Sequence, residues 1–159
     1  MTRKKICIAG ATGLVGANLT KKALSKGYFI NGTARNVSDE NKIEYLNNFP
    51  NSQNLTLFSA NMNNSETFDK ALAEVDALFI CCLIPIYKSA EGIPANQLSE
   101  EEGKSSIMAP TIEGCLNILR SAKRNGVKNV LICSSTASTN PNIEIEEKNE
   151  IDHWSDEST

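Results

Sequence analysis

Residues 6–16 read Ile6-Cys-Ile-Ala-Gly10-Ala-Thr-Gly13-Leu-Val-Gly16. A short apolar run stops at a glycine, and two more glycines follow at three-residue steps. A helical spacing of apolar residues then begins, with Leu14, Val15, Leu19, Ala23 and Leu24 expected along one face. Strand, glycine turn and helix in this order leave few folds open, because each glycine has a separate job. Gly10 lets the chain turn sharply off the strand. Gly13 lets backbone approach a diphosphate with no Cβ in the way. Gly16 lets the helix pack closely on the strand. The N–H groups at the start of the helix then face the phosphates. The spacing is G-x-x-G-x-x-G rather than the commoner G-x-G-x-x-G.

The rest of the chain alternates strand and helix signals, which predicts a parallel α/β sheet. The first helix is expected to stop at Lys26-Gly27. Tyr28 to Ala34 reads as a second strand. A polar stretch from Arg35 to Asn41 leads to a short helix before Pro50, and Leu55 to Ser59 is a third strand. Asn64-Ser65-Glu66 caps a helix carrying Phe68, Ala71 and Leu72. Val75 to Leu83 is almost continuously apolar, as expected of a strand covered on both faces. Pro85 to Glu102 reads as irregular. Ser105 to Asn125 reads as a long helix with Ile107, Ile112, Cys115, Ile118, Leu119 and Ala122 on one side and Gly126 as its stop. Val127 to Cys133 is a fifth strand, followed by Ser134-Ser135-Thr136.

Length and composition fit one soluble domain: 159 residues, 40% hydrophobic and 22% charged. The net charge of −3 is uneven. Seven of the 19 acids and one of the 16 bases fall from Asn140 onward, so the preceding residues carry 15 bases against 12 acids, or +3. That excess is too mild for nucleic-acid binding. Residues 1–139 are therefore expected to form the folded domain, and 140–159 an acidic surface or disordered tail. The longest apolar run, Ala77 to Ile86, has ten residues, about half of what a bilayer requires. Arg3-Lys4-Lys5 ahead of an apolar stretch resembles a secretory signal, but the spaced glycines interrupt it. The five cysteines have no C-x-x-C spacing, and Cys7, Cys81, Cys82 and Cys133 sit in strand-like runs. Buried, reduced thiols in a cytoplasmic protein are the expectation. No metal-ligand pattern is present, and the one histidine, His153, is expected to be solvated.

Several blocks, taken in order, resemble the extended short-chain dehydrogenase/reductases, and within them the dihydroflavonol reductase and cinnamoyl-CoA reductase group. These are the glycine motif; Thr33-Ala-Arg35; Ser65-Glu-Thr-Phe68-Asp-Lys-Ala71; Asp76-Ala-Leu-Phe79; Pro110-Thr-Ile-Glu-Gly114 with Asn117-Ile-Leu119; Val127-Lys-Asn-Val130 with Ser134-Ser135; and Trp154-Ser-Asp156. The resemblance covers nearly all of this chain and about the first half of a family member. It implies a Rossmann-like, doubly wound parallel sheet of about five strands in the order 3-2-1-4-5, incomplete relative to the family.

The resemblance also implies a nicotinamide dinucleotide bound by Gly10, Thr12, Gly13, Leu14, Val15 and Gly16. NAD-specific sites place an acid about 20 residues after the glycines, for the ribose hydroxyls. Here Arg35 stands there, and nothing acidic precedes Asp39. A guanidinium suits a 2′-phosphate, and Lys42 matches a family lysine aimed at the same group. NADP(H) is accordingly expected over NAD(H). The competing reading makes Arg35 and Lys42 plain solvated charges. Asn61-Met62 stands where the family has Asp-Leu near the adenine. Cys82 and Leu83 are expected to meet the cofactor through backbone while their side chains face the core. Thr111 is read as a helix-start residue.

Family reductases deliver hydride from the nicotinamide, and a Tyr in a Tyr-x-x-x-Lys pair protonates the carbonyl oxygen. A Ser hydrogen-bonds that oxygen. Ser135 is assigned this role, with Ser134 and Thr136 as close alternatives; Ser134 also counts among the cofactor-binding positions. The competing reading of Ser135 is a strand-end cap. The residues four beyond Tyr28, Tyr45 and Tyr87 are Gly32, Phe49 and Glu91, so no Tyr-x-x-x-Lys pair occurs. The expectation is the NADP(H)-binding half of a reductase of small carbonyl substrates, inactive alone. The alternative is a non-catalytic NADP(H) sensor or interaction module. Self-association through the unpaired sheet edge is a further expectation.

Overall fold

The structure, a computed structural model, describes residues 4–83, 88, 89, 91–135, 138, 149, 151, 153 and 154. Five parallel strands form one sheet: β1 (Lys5–Ala9), β2 (Phe29–Ala34), β3 (Leu55–Ser59), β4 (Ala77–Ile80) and β5 (Asn129–Ile132). Their order is β3-β2-β1-β4-β5, as the resemblance implies. Alternation along β1 shows why helices are needed on both faces. Cys7 and Ala9 enter one core with Phe68, Leu72, Leu78, Ile80, Ile118 and Ala122. Ile6 and Ile8 enter the other with Leu24, Ile30 and Leu46. Helices α1 (Leu14–Ser25) and α2 (Glu40–Asn47) cover the second face. The short α3 (Asp69–Leu72), reached through a 3-10 turn at Ser65–Phe68, and α5 (Ala109–Arg124) cover the first.

The strands follow their expected positions, and β3 coincides with its expected bounds. β4 is shorter than the apolar run from Val75 to Leu83, because that run also serves turns and core contacts at both ends. The long helix differs most. It begins not at Ser105 but at α4 (Glu100–Gly103), within the stretch expected to be irregular, and runs through a π-helical segment, Lys104–Met108, into α5. Ser99 starts it with a capping box: its hydroxyl accepts from the Glu102 N–H, and the Glu102 carboxylate accepts from the Ser99 N–H. The π segment has a local cause. Pro110 has no N–H, and its ring would crowd the Ser106 carbonyl in a regular helix. Thr111 therefore lies inside a continuous helix, where its hydroxyl donates to the Ile107 carbonyl at 2.7 Å; it is not a helix-start residue.

Three burial expectations are corrected. Leu14 and Val15 are 84% and 50% exposed, and the packed side of α1 is made by Gly16, Thr20, Ala23 and Leu24. Ile112 is exposed on α5, one step off the stripe that buries Ile118 and Ala122. Of the thiols only Cys7 is fully buried; Cys81, Cys82 and Cys115 are half-buried and Cys133 is exposed, because β5 is an edge strand. All five are free. Leu131 and Ile132 on β5 are also about half exposed. Residues 139–148, 150, 152 and 155–159 lie outside the described residues, and with them most of the expected acidic tail; Thr136 and Tyr87 do too. No helix among the described residues is long and apolar enough to cross a membrane.

Asp69 ties α3 to α5. Its Oδ1 accepts from the buried Ser121 hydroxyl at 2.5 Å, from Arg124 Nη2 at 2.8 Å and from Asn125 Nδ2 at 3.2 Å. These donors, the Ser121 hydroxyl foremost, hold its carboxyl below the usual range. A lowered folded-state pKa contributes stability that is present above the unfolded value of about 4 and is lost as pH falls through the folded value. Asp69→Ala is expected to lower Tm at neutral pH by about 2–4 °C, the equivalent of about one net hydrogen bond. The deficit should shrink below about pH 4, which melts across a pH series would show.

Candidate functional site

The glycine turn sits at the carboxyl ends of β1 and β2, where open α/β sheets bind ligands. Gly10 has φ +87, and a Cβ built there would stand 2.6 Å from the Cβ of Cys82, in the segment leaving β4. A side chain is thus excluded by conformation and by space. A Cβ on Gly16 would lie 2.1 Å from the Gly10 oxygen and 3.0 Å from the Ala11 Cα, so α1 packs directly on the turn rather than on the strand itself. Gly13 is different. Its φ of −78 suits any residue, and an added Cβ would meet nothing closer than the Gly10 oxygen at 3.5 Å. The protein does not need glycine there for its own packing; the space above Gly13 is open.

Gly13 caps α1 without any side-chain hydrogen bond. The first-turn N–H groups, beside exposed Leu14 and Val15, carry the positive end of the helix dipole into that space. The turn is held from beneath by Thr33, 2% exposed: its hydroxyl accepts from the Gly10 N–H at 3.2 Å, and its carbonyl accepts from the Ala11 N–H at 2.9 Å. It is held from the side by Tyr45 on α2, whose hydroxyl donates to the Thr12 carbonyl at 2.9 Å. Burial pushes that phenol up, so it stays protonated at neutral pH. Tyr45 is in turn placed by an edge-on contact with Phe49, with ring centroids 5.9 Å apart. Neither Thr33 nor Tyr45 is among the expected site residues. Both act through pairs remote in sequence, which no motif spacing discloses. Tyr45→Phe removes one net hydrogen bond of about 1 kcal/mol from the turn. It is expected to weaken dinucleotide binding by about fivefold and to lower Tm by about 2–4 °C, as titration and melting would measure.

The other expected residues are distributed unevenly around the turn. Arg35 directly follows β2, is exposed, and has no carboxylate partner among the described residues. Lys42 is exposed but its ammonium lies 2.9 Å from Asp39, so it is already engaged. Asn61 follows β3, and its side-chain oxygen accepts from the Asn63 N–H at 3.0 Å, so one acceptor position is used locally. Met62 packs toward α5, where its Cε lies 2.6 Å from the Cβ position of Gly114, and its carbonyl accepts from Asn117 at 2.9 Å. Cys82 and Leu83 pack their side chains against the core on the α5 side. Burial, with the neighbouring Cys81 second, pushes the Cys82 thiol up to about 11. Ser134 and Ser135 lie just beyond β5 and are exposed. The Ser134 hydroxyl donates to that of Ser138 at 3.4 Å, and the Ser135 carbonyl accepts from the Ser138 hydroxyl at 2.6 Å.

His153 is half-buried rather than solvated, with Nδ1 accepting from the Asn149 N–H at 3.0 Å. The described residues contain no group of three or more His, Cys, Asp or Glu side chains placed to hold a metal. Two open cavities, of about 500 and 470 Å³, are lined by residues such as Lys5, Phe29, Tyr28 and Asp76 at the amino ends of the strands. They lie at the opposite end of the sheet from the glycine turn.

Comparison with known proteins agrees with this geometry. Residues 10–158 match a family described as NAD(P)H-binding. A dihydroflavonol 4-reductase from Callistephus chinensis is 32% identical over 153 residues, covering 95% of this chain and 39% of that protein. A putative anthocyanidin reductase from Ginkgo biloba is 30% identical over 155 residues, covering 95% of this chain and 42% of that one. The chain therefore spans about two-fifths of the length of these relatives. Among solved structures, yeast methylglyoxal/isovaleraldehyde reductase complexed with NADPH superposes with a TM-score of 0.64 at 20% identity, over 85% of this chain and 38% of that one.

Proposed function

The chain belongs to the NAD(P)H-binding family matched over residues 10–158, and from that premise we propose that residues 1–139 form the NADP(H)-holding unit of a reductase of small carbonyl compounds. The observation that carries this reading is the contrast within the glycine turn. Gly16 is closed by the protein's own packing, whereas Gly13 is left open beside uncapped helix N–H groups. Such a cradle fits a diphosphate. Arg35, exposed just past β2 and without an ion pair among the described residues, supports the phosphorylated dinucleotide over NAD(H), since a guanidinium binds a 2′-phosphate bidentately. Lys42 contributes less, being held by Asp39.

When bound, NADP(H) supplies hydride to a carbonyl carbon. The chain's own residues have narrower tasks. Gly10, Thr12, Gly13, Leu14, Val15 and Gly16 seat the diphosphate, Thr33 and Tyr45 fix the turn, and Asn61 and the backbone of Met62, Cys82 and Leu83 border the remainder. Ser135, or Ser134 beside it, donates a hydrogen bond to the substrate oxygen at the end of β5. A proton must also reach that oxygen, and residues 1–159 hold no Tyr-x-x-x-Lys pair to deliver it. We therefore expect this chain to bind dinucleotide without turning over substrate. The same observation favours one second reading, a nucleotide-binding sensor or interaction module.

Both readings require binding, so thermal melting of the 159-residue chain with NADPH and with NADH tests them first. At 100 times its Kd, a ligand specific for the folded state adds about 2.7 kcal/mol, or a rise of about 5–10 °C for a domain of this size. NADPH is expected to give the larger rise at matched concentrations. A cooperative melt that moves with neither dinucleotide would sink the proposal.

A further inference from the structure

We propose that Cys81 and Cys133 form a dithiol switch that closes to a disulfide at the carboxyl end of the sheet and acts on the glycine turn through Cys82. The register places the pair. β4 and β5 are parallel with Ile80 opposite Ile132. The Cys133 N–H donates to the Ile80 carbonyl at 2.9 Å, which carries the ladder one step further and sets Cys133 opposite Cys81. Neighbouring strands lie about 4.8 Å apart, inside the Cα separation of about 4.4–6.8 Å that a disulfide spans.

The faces agree as well. Leu78 and Ile80 point into the α5 core with Val130, while Ala77, Phe79 and Cys81 belong to the α1 side. Alternation along β5 puts Leu131 and Cys133 on that same α1 side. This face is thinly covered, with Leu131 half exposed and Cys133 open to solvent. Burial raises the Cys81 thiol, and the neighbouring Cys133 adds to it, as adjacent thiols should. The other cysteines are poor competitors. Cys7 is fully buried, with its thiol pushed up to about 12, and Cys115 sits on α5 against the opposite face of the sheet from Cys81.

The chemistry needs an oxidant, and a low-molecular-weight disulfide RSSR suffices. Exposed Cys133, as thiolate, attacks one sulfur of RSSR, forming a mixed disulfide and releasing RS⁻. Cys81, as thiolate, then attacks the Cys133 sulfur, forming the Cys81–Cys133 bond and releasing the second RS⁻. The two protein thiols give up two protons and two electrons, and RSSR becomes two RSH. An excess of RSH reverses both steps. The consequence for the site follows from Cys82, the next residue, whose Cβ stands 2.6 Å from the Cβ position of Gly10. A bond that draws Cys81 toward β5 shifts the segment on which the turn rests. This effect on binding rests on the proposed NADP(H) reading; the bond itself does not.

The test equilibrates the 159-residue chain in glutathione redox buffers and reads intact mass, the disulfide-linked peptides and NADPH affinity. Expected are the loss of two hydrogens, a link between the Cys81 and Cys133 peptides that dithiothreitol removes, and NADPH binding weaker by about tenfold in the oxidised form. Cys133→Ser and Cys81→Ser should each abolish the link, and Cys82→Ala should retain it. A stable glutathione adduct on Cys133, a link to another cysteine, or a disulfide between two chains would overturn the proposal. Equal NADPH affinity of both forms would overturn the switch while leaving the bond. Failure of the reduced form to bind NADPH would instead count against the cofactor reading.

Discussion

Gly16→Ala is expected to lose dinucleotide binding and to melt about 3–10 °C lower than the parent chain, the equivalent of about 1–3 kcal/mol of overpacking. The new Cβ has no room. It would sit 2.1 Å from the Gly10 oxygen, 2.8 Å from the Gly10 carbonyl carbon and 3.0 Å from the Ala11 Cα. All three are backbone atoms, so no rotamer change relieves the clash. Either α1 lifts off the turn or the turn is pushed from Thr33, which breaks bonds to Gly10 and Ala11. Both routes spoil the alignment of the helix N-terminus with the open space above Gly13. Gly13→Ala separates packing from recognition. Its Cβ meets only an ordinary contact at 3.5 Å and its φ is unstrained, so stability should change by less than about 1 kcal/mol. Binding should nonetheless fall by on the order of tenfold or more, because the Cβ stands where a diphosphate must come. Titration and melting of both variants decide the matter. A Gly13→Ala chain that binds NADPH as the parent does would show that the cradle is not where the dinucleotide lies.

The same turn shows how far the sequence can be read. Three glycines at fixed steps after an apolar run suffice to place a strand, a turn and a helix, because each constraint is local. The alternation of strand and helix signals leads to the parallel sheet, and β3 needs nothing beyond its own five residues. Errors appear where apolar character is used for something other than burial. Leu14 and Val15 fit a helical stripe yet flank the open end of α1, where nothing of the protein covers them. Cys133 lies in an apolar run, but on an edge strand. The start of the long helix was legible in Ser99 and Glu102, a capping box that two nearby prolines and Gly92 obscure. Thr33 and Tyr45 were not legible at all. Their contacts with the turn join residues 22 to 33 positions apart, and only the assembled sheet brings them together.

Arg35→Ala is expected to weaken NADPH binding by about 10- to 100-fold, the effect of losing charged hydrogen bonds of about 1.5–3 kcal/mol. NADH binding should stay within about twofold, because NADH carries no 2′-phosphate to lose a partner. The structure makes this substitution a clean one. Arg35 is exposed, forms no ion pair among the described residues, and lies beyond the last residue of β2. Its removal leaves no buried group stranded, so Tm without ligand should be unchanged. Lys42→Ala supplies the contrast. Its ammonium is shared with Asp39 at 2.9 Å, so it contributes only a distant, screened attraction and should cost less than about fivefold. Ionic strength sharpens the comparison: the parent's preference for NADPH over NADH should shrink as salt rises, and that of Arg35→Ala should hardly respond. Equal loss of NADPH and NADH affinity in Arg35→Ala would mean that the guanidinium serves the diphosphate or the loop. The choice between the two dinucleotides would then rest on other residues.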